Sequence, residues 1–599
     1  MVDDGTLPFC PDQETPVYVG PISPAHASPA PPTLLPTRVA KPRHRWPAMK
    51  RAQIGIAAAT ILWSAAFGFI TQYAAIGPKP DGWQTVALAI VLHAPFLAIL
   101  SFLAFGLIER FDYFRIAARP PRPGNLPARV PKVCVQLPMF NEDAVAERII
   151  TAACALQWPR EALEVQVLDD STDEATRVRV RAFCEQIAAE TGVDCRWIHR
   201  TDRQGYKAGA LEAARIMTDA RYFAIFDADF IPPPDFLART IPHFYDITGR
   251  SIPDLAVVQA QWGHLNDTES FLTCAQALWV DDHHTLQKTW RSGVIGFVNF
   301  TGTAGVWRRE AIAAAGGWRA ASLVEDCELS IRALFAGYRT RFVGSIVAPA
   351  ELPNTIAAYR SQQKRWTQGW AQLQRLHMKT LLLRYPTSLA RRAYLLYFAG
   401  ISWQWFLWTM WILILPFLIA SGLWLGALGM EYAVAAYVFP PLFFALFAGM
   451  IAANEARPTY ALQSRNGLGS RLLRMARVVP YMILNTGMMP HHFCAFLEGM
   501  LGPLHAEFVR TPKTASTGIT SAPGTPKTPR PKAKVKDASY LWFELFFSVT
   551  LIAWAAYFIH VNQSFAAFWS LWILACVAGL RAAPALHAAF LAKDSANAR

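Results

Sequence analysis

The chain has 599 residues, of which 53% are hydrophobic and 17% are charged, and its mean hydropathy is +0.20. This composition excludes an ordinary soluble protein, which is less apolar, and a pure membrane bundle, which carries less charge. The net charge of +14 does not indicate nucleic-acid binding, because many of the cations flank apolar runs, where membrane topology and anionic lipid headgroups account for them.

The N-terminal part predicts a tail followed by two membrane spans. Residues 1–50 are rich in proline and lack a continuous apolar stretch, which is typical of a disordered basic tail rather than of a signal peptide. Residues 51–108 contain two nearly uncharged runs, Ile54–Gly77 and Gln84–Ile108, and each exceeds the about 20 residues that a helix needs to cross a bilayer. Lysines and arginines cluster before the first run, which places the N-terminus and residues 109–392 in the cytoplasm.

The C-terminal part predicts four more spans, for a total of about six. Two fall in residues 393–453 and two in residues 540–582, because both regions are long and apolar. The underlying apolar runs are Ala393–Met430, Tyr432–Ala453, Leu545–Val561 and Phe565–Leu580.

The remaining C-terminal residues predict membrane-surface and cytoplasmic structure. Residues 454–539 contain arginines, a basic linker and the segment 478–502, which is interrupted by proline and glycine and predicts interfacial or re-entrant helices. Residues 583–599 predict a cytoplasmic tail. We therefore expect a multi-pass integral membrane protein in contact with the lipid bilayer, in the plasma or inner membrane if its source is a bacterium.

From Lys132 onward, short β-branched runs alternate with helical stretches. The runs "KVCVQLP", "EVQVLDD", "CRWIHR" and "YFAIFDAD" predict strands, and the stretches between them predict helices. This alternation indicates an α/β domain with a parallel sheet, in which ligands bind beyond the carboxyl ends of the strands.

Paired carboxylates follow two of the predicted strands. Asp169 and Asp170 end one strand, and Asp227 and Asp229 end another. Several negative charges in one crevice repel each other unless a cation binds, so Asp227 and Asp229, two residues apart on an extended segment, predict a shared Mg²⁺ or Mn²⁺. Lys207 lies at a predicted helix start, where its ammonium and the backbone N–H groups can meet a diphosphate. Each of these residues also has an ordinary interpretation as a turn former or a solvated lysine.

A second candidate group lies further along the chain. The small residues of "FTGTAGVWRR" allow close backbone approach to a ligand, and a helix is predicted from Glu325. Asp326 falls in its first turn, where a carboxylate is either a partner of the helix dipole or, in a cleft, a general base.

The motifs "DDSTD", "DAD", "TGTAG", "VED" and Gln362-x-x-Arg365-Trp366 occur in this order between predicted spans. The ordered set resembles the processive family 2 glycosyltransferases, which include cellulose, hyaluronan and chitin synthases. The sequence is most similar to the plant cellulose-synthase-like mannan and xyloglucan-backbone synthases in the segments "LPMFNE", "GYKAGAL", "VQAQW" and "ELPNTIAAYRSQQKRW". The resemblance implies a GT-A-like glycosyltransferase domain inserted between transmembrane helices.

The resemblance also implies roles for individual residues. Asp169, Asp170 and Lys207 would bind the nucleotide sugar, with Asp227 and Asp229 on its diphosphate and on the metal. Asp326 would be the general base. Glu325, Gln362, Arg365 and Trp366 would line the acceptor and leaving-group site.

These features predict an inverting, processive β-glycosyltransferase that elongates a polysaccharide from a nucleotide sugar and exports it through its own spans. UDP-glucose and a β-glucan product are favoured, and a β-mannan synthase that uses GDP-mannose is the alternative. A non-processive transferase acting on a lipid-linked acceptor, or a transporter with a nucleotide-sensing domain, would be competing functions. Phe508–Lys513 resembles the gating loop of cellulose synthase and predicts a cap over the donor. The sequence leaves open whether accessory export subunits are partners.

Overall fold

The computed structural model describes residues 82–142, 145–267, 269–420, 478–504, 540–561 and 567–582. Several features expected from the sequence lie outside these residues. They are the tail 1–50, the span Ile54–Gly77, the run Tyr432–Ala453, the loop Phe508–Lys513, the basic linker before residue 540 and the tail 583–599.

A seven-stranded sheet forms the centre of the α/β domain. Its strands are β1 Val133–Met139, β2 Leu163–Asp169, β3 Asp194–His199, β4 Tyr222–Ile225, β5 Leu255–His264, β6 Gly305–Arg308 and β7 Arg339–Ala350. The four strands predicted from "KVCVQLP" to "YFAIFDAD" are confirmed as β1 to β4.

The helices surround the sheet and continue beyond it. Those up to the end of the sheet are α1 Trp83–Ala117, α2 Ala146–Cys154, α3 Glu174–Thr191, α4 Tyr206–Arg215, α5 Phe236–Thr240, α6 Phe271–Asp281, α7 Lys288–Trp290, α8 Arg309–Ala314 and α9 Glu325–Phe335. The C-terminal ones are α10 Ile356–Leu383, α11 Leu389–Ala399, α12 Trp403–Ala420, α13 Val478–Gly487, α14 Met489–Leu501, α15 Leu541–His560 and α16 Ala567–Ala582. Short 3-10 helices occupy Arg160–Ala162 and Ile241–Phe244, and π-helical turns at Asp282–Gln287 and Arg291–Ile295 flank α7.

The sheet is mixed rather than purely parallel, which corrects the sequence prediction. The strand order is β3-β2-β1-β4-β6-β5-β7, and β6 runs antiparallel to both β4 and β5. The other neighbouring pairs are parallel. β6 follows the irregular segment 296–304 rather than a crossover helix packed on the sheet, so nothing in the connection requires a parallel strand there.

Apolar side chains cover both faces of the sheet. Val135 and Val167 belong to the cluster on one face, together with Ile149 from α2. On the other face, Phe223 and Leu211 belong to a second cluster, which α8 and α9 also join. Because both faces of the sheet are buried, the side chains in the middle of the strands are enclosed, and the functional side chains have to come from the ends of the strands.

Two parts of the described chain pass a length and hydropathy test for membrane crossing. α15 passes by itself, and α11 with α12, which meet at 72°, passes as a bent pair. Membrane spans are thus only weakly indicated, and the count of six stays a prediction. The segment 478–502 forms the helix pair α13 and α14.

Helix α10 connects the sheet domain to the C-terminal helices. A Cβ on Gly499 of α14 would lie 2.4 Å from the carbonyl oxygen of Gln368, so the glycine permits this close crossing. Lys364 of α10 pairs with Glu498 of α14 at 2.9 Å. Glu544 of α15 forms an ion pair with Arg581 of α16, with 2.7 Å between Oε2 and Nε. The helix that carries the Gln-x-x-Arg-Trp motif is therefore held against α14, and α14 packs in turn on α15.

Candidate active site

A cavity lies at the carboxyl ends of the strands. Residues that follow β1, β2 and β4 line it, as do α4, α6 and α10 and the last residues of β5. One part, which we call the charged side, consists of Asp170, Lys207, Asp227, Asp229, Glu325, Asp326 and Arg365. The other part, which we call the aromatic side, consists of Trp262, His264, Gln276, Trp279, Tyr359, Gln362 and Trp366.

Lys207 is the central cation of the charged side. Its Nζ donates to Oδ1 of Asp227 and to the carbonyl oxygen of Gly302 at 2.9 Å. Burial opposes the charge on Lys207, but the carboxylates of Asp227 and Glu325 outweigh it and raise the lysine pKa. Lys207 therefore stays an ammonium group at neutral pH.

Asp326 lies beside this lysine, at the start of α9. Gly302 separates the two groups: a Cβ there would lie 3.1 Å from Oδ2 of Asp326 and 3.4 Å from Nζ of Lys207. Its φ of +82° also favours glycine. Oδ1 of Asp326 accepts from the backbone N–H of Cys327 at 2.7 Å.

Both carboxyl groups in this turn bind protons more tightly than usual. Burial, and then the negative charge of Asp227, raises the pKa of Asp326. Burial, and then Asp326 itself, raises the pKa of Glu325 to about 7. A carboxylate with a raised pKa is a stronger base than an ordinary one, which suits Asp326 for proton abstraction.

Asp169 and Asp170 have separate surroundings. Asp170 lines the cavity and is held by the buried Arg200, whose Nε donates to its Oδ1 at 2.9 Å. Asp169 is fully buried and is not among the cavity-lining residues. Its carboxylate accepts from the backbone N–H of Ser171 at 3.0 Å and from Nε1 of Trp197 at 3.1 Å. These contacts order the loop behind Asp170, and the donor contact expected of Asp169 stays a prediction.

Helix α10 contributes the predicted motif. Gln362, Arg365 and Trp366 all line the cavity, because residues three and four apart share one face of a helix. Burial lowers the pKa of the Arg365 guanidinium, but the carboxylates Glu325, Asp227, Asp326 and Asp229 oppose that shift.

A buried carboxylate connects α10 to α9. Glu328 of α9 binds Arg332 at 2.7 Å and Nε2 of His377 on α10 at 3.0 Å. Although burial opposes it, these two partners lower the pKa of Glu328 to about 2. Asp326 and the Gln-x-x-Arg-Trp motif thus lie on two helices that this contact holds together.

Asp227 and Asp229 fit a metal site that a ligand has to complete. Both line the cavity, but the peptide between them turns, since the N–H of Phe230 donates to the carbonyl oxygen of Asp227 at 3.0 Å. This corrects the predicted extended segment. Among the described residues, no group of three or more His, Cys, Asp or Glu side chains is arranged to hold a metal. Two carboxylates with phosphate oxygens and water form a donor set that Mg²⁺ accepts.

The sequence motifs missed several cavity residues. The guanidinium of Arg203 lies 3.4 Å from the ring centroid of Phe140, and both residues line the cavity. Trp279 lies 5.8 Å from Trp366, centroid to centroid. Phe140 and Trp262 stand at or just beyond the carboxyl ends of β1 and β5, so the rule that selected Asp170 and Asp227 could also have selected them.

The mixed sheet and the cavity at its carboxyl edge define a GT-A-like α/β fold. Residues 134–306 match the family model described as glycosyl transferase family 2. Residues 222–451 match the one described as glycosyl transferase family group 2. The chain therefore carries a family 2 glycosyltransferase domain, as the ordered motifs predicted.

The chain is also similar to plant proteins. It is 41% identical over 291 residues to "Probable glucomannan 4-beta-mannosyltransferase 7" of Oryza sativa subsp. japonica, over 48% of this chain and 48% of that protein. It is 41% identical to "Glucomannan 4-beta-mannosyltransferase 1" of the same organism, over 53% of this chain and 64% of the relative. For "Glucomannan 4-beta-mannosyltransferase 2" of Arabidopsis thaliana the identity is 40%, over 45% and 49%. The chain thus spans about half to just under two thirds of the length of these relatives.

One similar solved structure is also that of a mannosyltransferase. It is the mannosyltransferase PcManGT from Pyrobaculum calidifontis in complex with GDP-Man and Mn²⁺, which is 21% identical, with a TM-score of 0.41 over 66% of this chain and 99% of that one.

Proposed function

We propose that this protein is a membrane-associated hexosyltransferase that transfers mannosyl units from a nucleotide sugar, GDP-mannose, to the end of a β-linked polysaccharide. The observation that carries this proposal is the grouping of Asp326, Lys207 and Asp227 in one cavity with the aromatic side next to them. This grouping provides a base, a cation for a diphosphate and flat surfaces for sugar rings.

The choice of mannose over glucose rests on the relatives. The β-glucan and UDP-glucose favoured by the sequence motifs are less well supported, because the plant relatives at 40–41% identity are named as glucomannan 4-β-mannosyltransferases. The mannosyl alternative therefore becomes the main proposal.

The proposed reaction is a direct displacement at the anomeric carbon. A hydroxyl oxygen of the acceptor forms the new bond to C1 of mannose while its proton passes to the carboxylate of Asp326. The bond between C1 and the diphosphate oxygen breaks, and the nucleoside diphosphate leaves with both electrons. Attack opposite the leaving group inverts the centre, so an α-linked donor gives a β-linked product.

The charged side would stabilise the leaving group. The ammonium of Lys207 and the guanidinium of Arg365 face the place where negative charge develops, and such preorganised charges contribute most where water is excluded. Mg²⁺ or Mn²⁺, held by Asp227, Asp229 and the phosphate oxygens, would supply further charge neutralisation. Asp170 would lie near the nucleoside, and its bidentate contact with Arg200 keeps that wall rigid.

Repeated addition and export are part of the proposal. Trp366 and Trp279 offer apolar faces on which a pyranose ring can rest and slide. Helix α10, which carries Trp366, is held against α14, which packs on the candidate span α15. This arrangement supports passage of the growing chain toward the membrane helices, with the catalytic domain on the cytoplasmic side.

A parallel donor assay tests the proposal. Membranes containing the full chain would receive labelled GDP-mannose or UDP-glucose, with Mg²⁺, with Mn²⁺ or with a chelator, and the Asp326→Asn variant would be the blank. We expect metal-dependent label from GDP-mannose in a long β-linked product. Incorporation from UDP-glucose alone would overturn the choice of mannose, and one sugar per lipid acceptor would refute processivity.

A further inference from the structure

His264 is a titratable side chain in the cavity that the proposed reaction does not use. It is the last residue of β5 and lines the aromatic side. Its side chain is only 2% exposed, and its Nε2 lies 2.9 Å from Oδ1 of Asp281, which is 0% exposed. A buried imidazole paired with a buried carboxylate has a defined orientation.

The contact with Asp281 also determines which ring nitrogen carries the proton. A carboxylate accepts hydrogen bonds, so Nε2 is the protonated nitrogen and Nδ1 of a neutral ring is an acceptor. The described residues give Nδ1 no hydrogen-bond partner. The ring therefore offers one directed acceptor that the protein itself does not use.

The neighbours of His264 suit a saccharide. Asp281 is the last residue of α6, and the same helix contributes Gln276 and Trp279 to the cavity. Trp279 is in turn next to Trp366 of α10. Sugar recognition combines flat apolar faces with hydrogen bonds to hydroxyl groups, and these elements bring both to one wall.

We propose that His264, oriented by Asp281, is a recognition residue for the acceptor saccharide. Its Nδ1 accepts a hydrogen bond from a hydroxyl group of the sugar unit that rests against Trp279 and Trp366, and Asp281 acts as a positioning residue. This inference rests on the proposed function. The bond forms in the bound acceptor as well as in the transition state, so its loss raises the acceptor KM and leaves kcat nearly unchanged.

Two substitutions separate the two ring nitrogens. In His264→Gln, the amide nitrogen reaches the position of Nε2 and keeps the contact with Asp281, but no atom replaces Nδ1. In His264→Asn, the amide oxygen replaces Nδ1, but the side chain is too short for Asp281. His243→Gln is the matched control, because His243 is buried outside the cavity.

The assay uses the full chain in membranes, GDP-mannose as donor and β-1,4-mannohexaose as soluble acceptor. We expect His264→Gln to raise the KM for mannohexaose about tenfold, the effect of one lost hydrogen bond. Its KM for GDP-mannose, and its hydrolysis of GDP-mannose without acceptor, should not change. His264→Asn should lose less, and His243→Gln should match the wild type.

An unchanged acceptor KM in His264→Gln, or a raised donor KM alone, would overturn the proposal. If His264→Gln does not fold, Asp281→Asn decides: it should raise the acceptor KM, and an unchanged value overturns the proposal. Calorimetric binding of mannohexaose to Asp326→Asn, with and without His264→Gln, gives a readout without turnover. If the wild type transfers no mannose but His264→Gln weakens this binding about tenfold, the proposed function fails and the role of His264 stands.

Discussion

The charged side and the aromatic side of the cavity are built in different ways. On the charged side, opposite charges hold functional groups in place: Asp227 holds Lys207, and Arg200 holds Asp170. On the aromatic side, rings and amides dominate, and the contact between His264 and Asp281 is buried behind the wall. A group that must stabilise a leaving diphosphate has to be rigid. A surface over which a polymer moves has to bind the polymer without strong directional bonds.

This comparison makes Asp326, where the proposed proton transfer occurs, the most sensitive position. Asp326→Asn keeps the shape but removes the base, so kcat should fall about a thousandfold, within the range usual for general bases. Labelled mannose incorporation measures the loss, and calorimetric binding of GDP-mannose should stay near that of the wild type. Residual activity above a tenth of wild type would show that another group is the base.

On the charged side, Lys207→Met should lower kcat about a hundredfold, because one preorganised cation near the leaving group is lost. Lys207→Arg should recover part of the rate, and the KM for mannohexaose should not change. Lys132→Met is the matched control, since Lys132 pairs with Asp219 and Glu164 outside the cavity. Equal losses in the two methionine variants would contradict a specific role for Lys207.

On the aromatic side, Trp366→Ala should raise the acceptor KM about tenfold while donor hydrolysis continues, since an aromatic face contributes about 1 kcal/mol beyond its buried area. Trp366→Phe should retain most of the affinity. If the alanine variant makes a product of normal length at a normal rate, Trp366 does not bind the acceptor and the proposed difference between the two sides is wrong.

The smallest expected effect concerns pH. Glu325 is neutral below its pKa of about 7 and negative above it, so the wild-type KM for GDP-mannose should rise a few-fold between pH 6 and 8 as this charge repels the diphosphate. Glu325→Gln should remove that rise. The fall of kcat at low pH should remain, because the raised pKa of Asp326 sets it. Glu185→Gln, which changes an exposed carboxyl on α3, is the control, and a KM that still rises in Glu325→Gln would refute the assignment.

Much of the charged side could be predicted from the sequence. The ends of β2 and β4 were recognisable because paired aspartates follow short β-branched or aromatic runs, and polar residues at such positions mark the carboxyl edge of the sheet. Asp326 was recognisable as the acid in the first turn of a helix. The ordered motifs then predicted the family 2 glycosyltransferase domain, which the family comparison confirmed.

Other features needed the structure. The direction of β6 depends on how the segment 296–304 crosses the sheet, and no local pattern encodes that path. Asp169 and Asp170 are adjacent and chemically identical, yet Asp169 is buried in contact with Ser171 and Trp197 while Asp170 lines the cavity, and no local pattern separates the two. Trp279 and His264 became candidates only when α6 and β5 were placed beside α10.

The sequence by itself determined which residues can carry charge, where buried strands end and that an α/β domain adjoins long apolar segments, because these follow from local hydrophobicity and residue chemistry. Only the tertiary structure decided which carboxylates share a cavity with Lys207, which ring nitrogen of His264 is left for a ligand and which helices hold α10 in place. Those outcomes depend on contacts between residues far apart in the chain, and their energies arise only when the elements pack together.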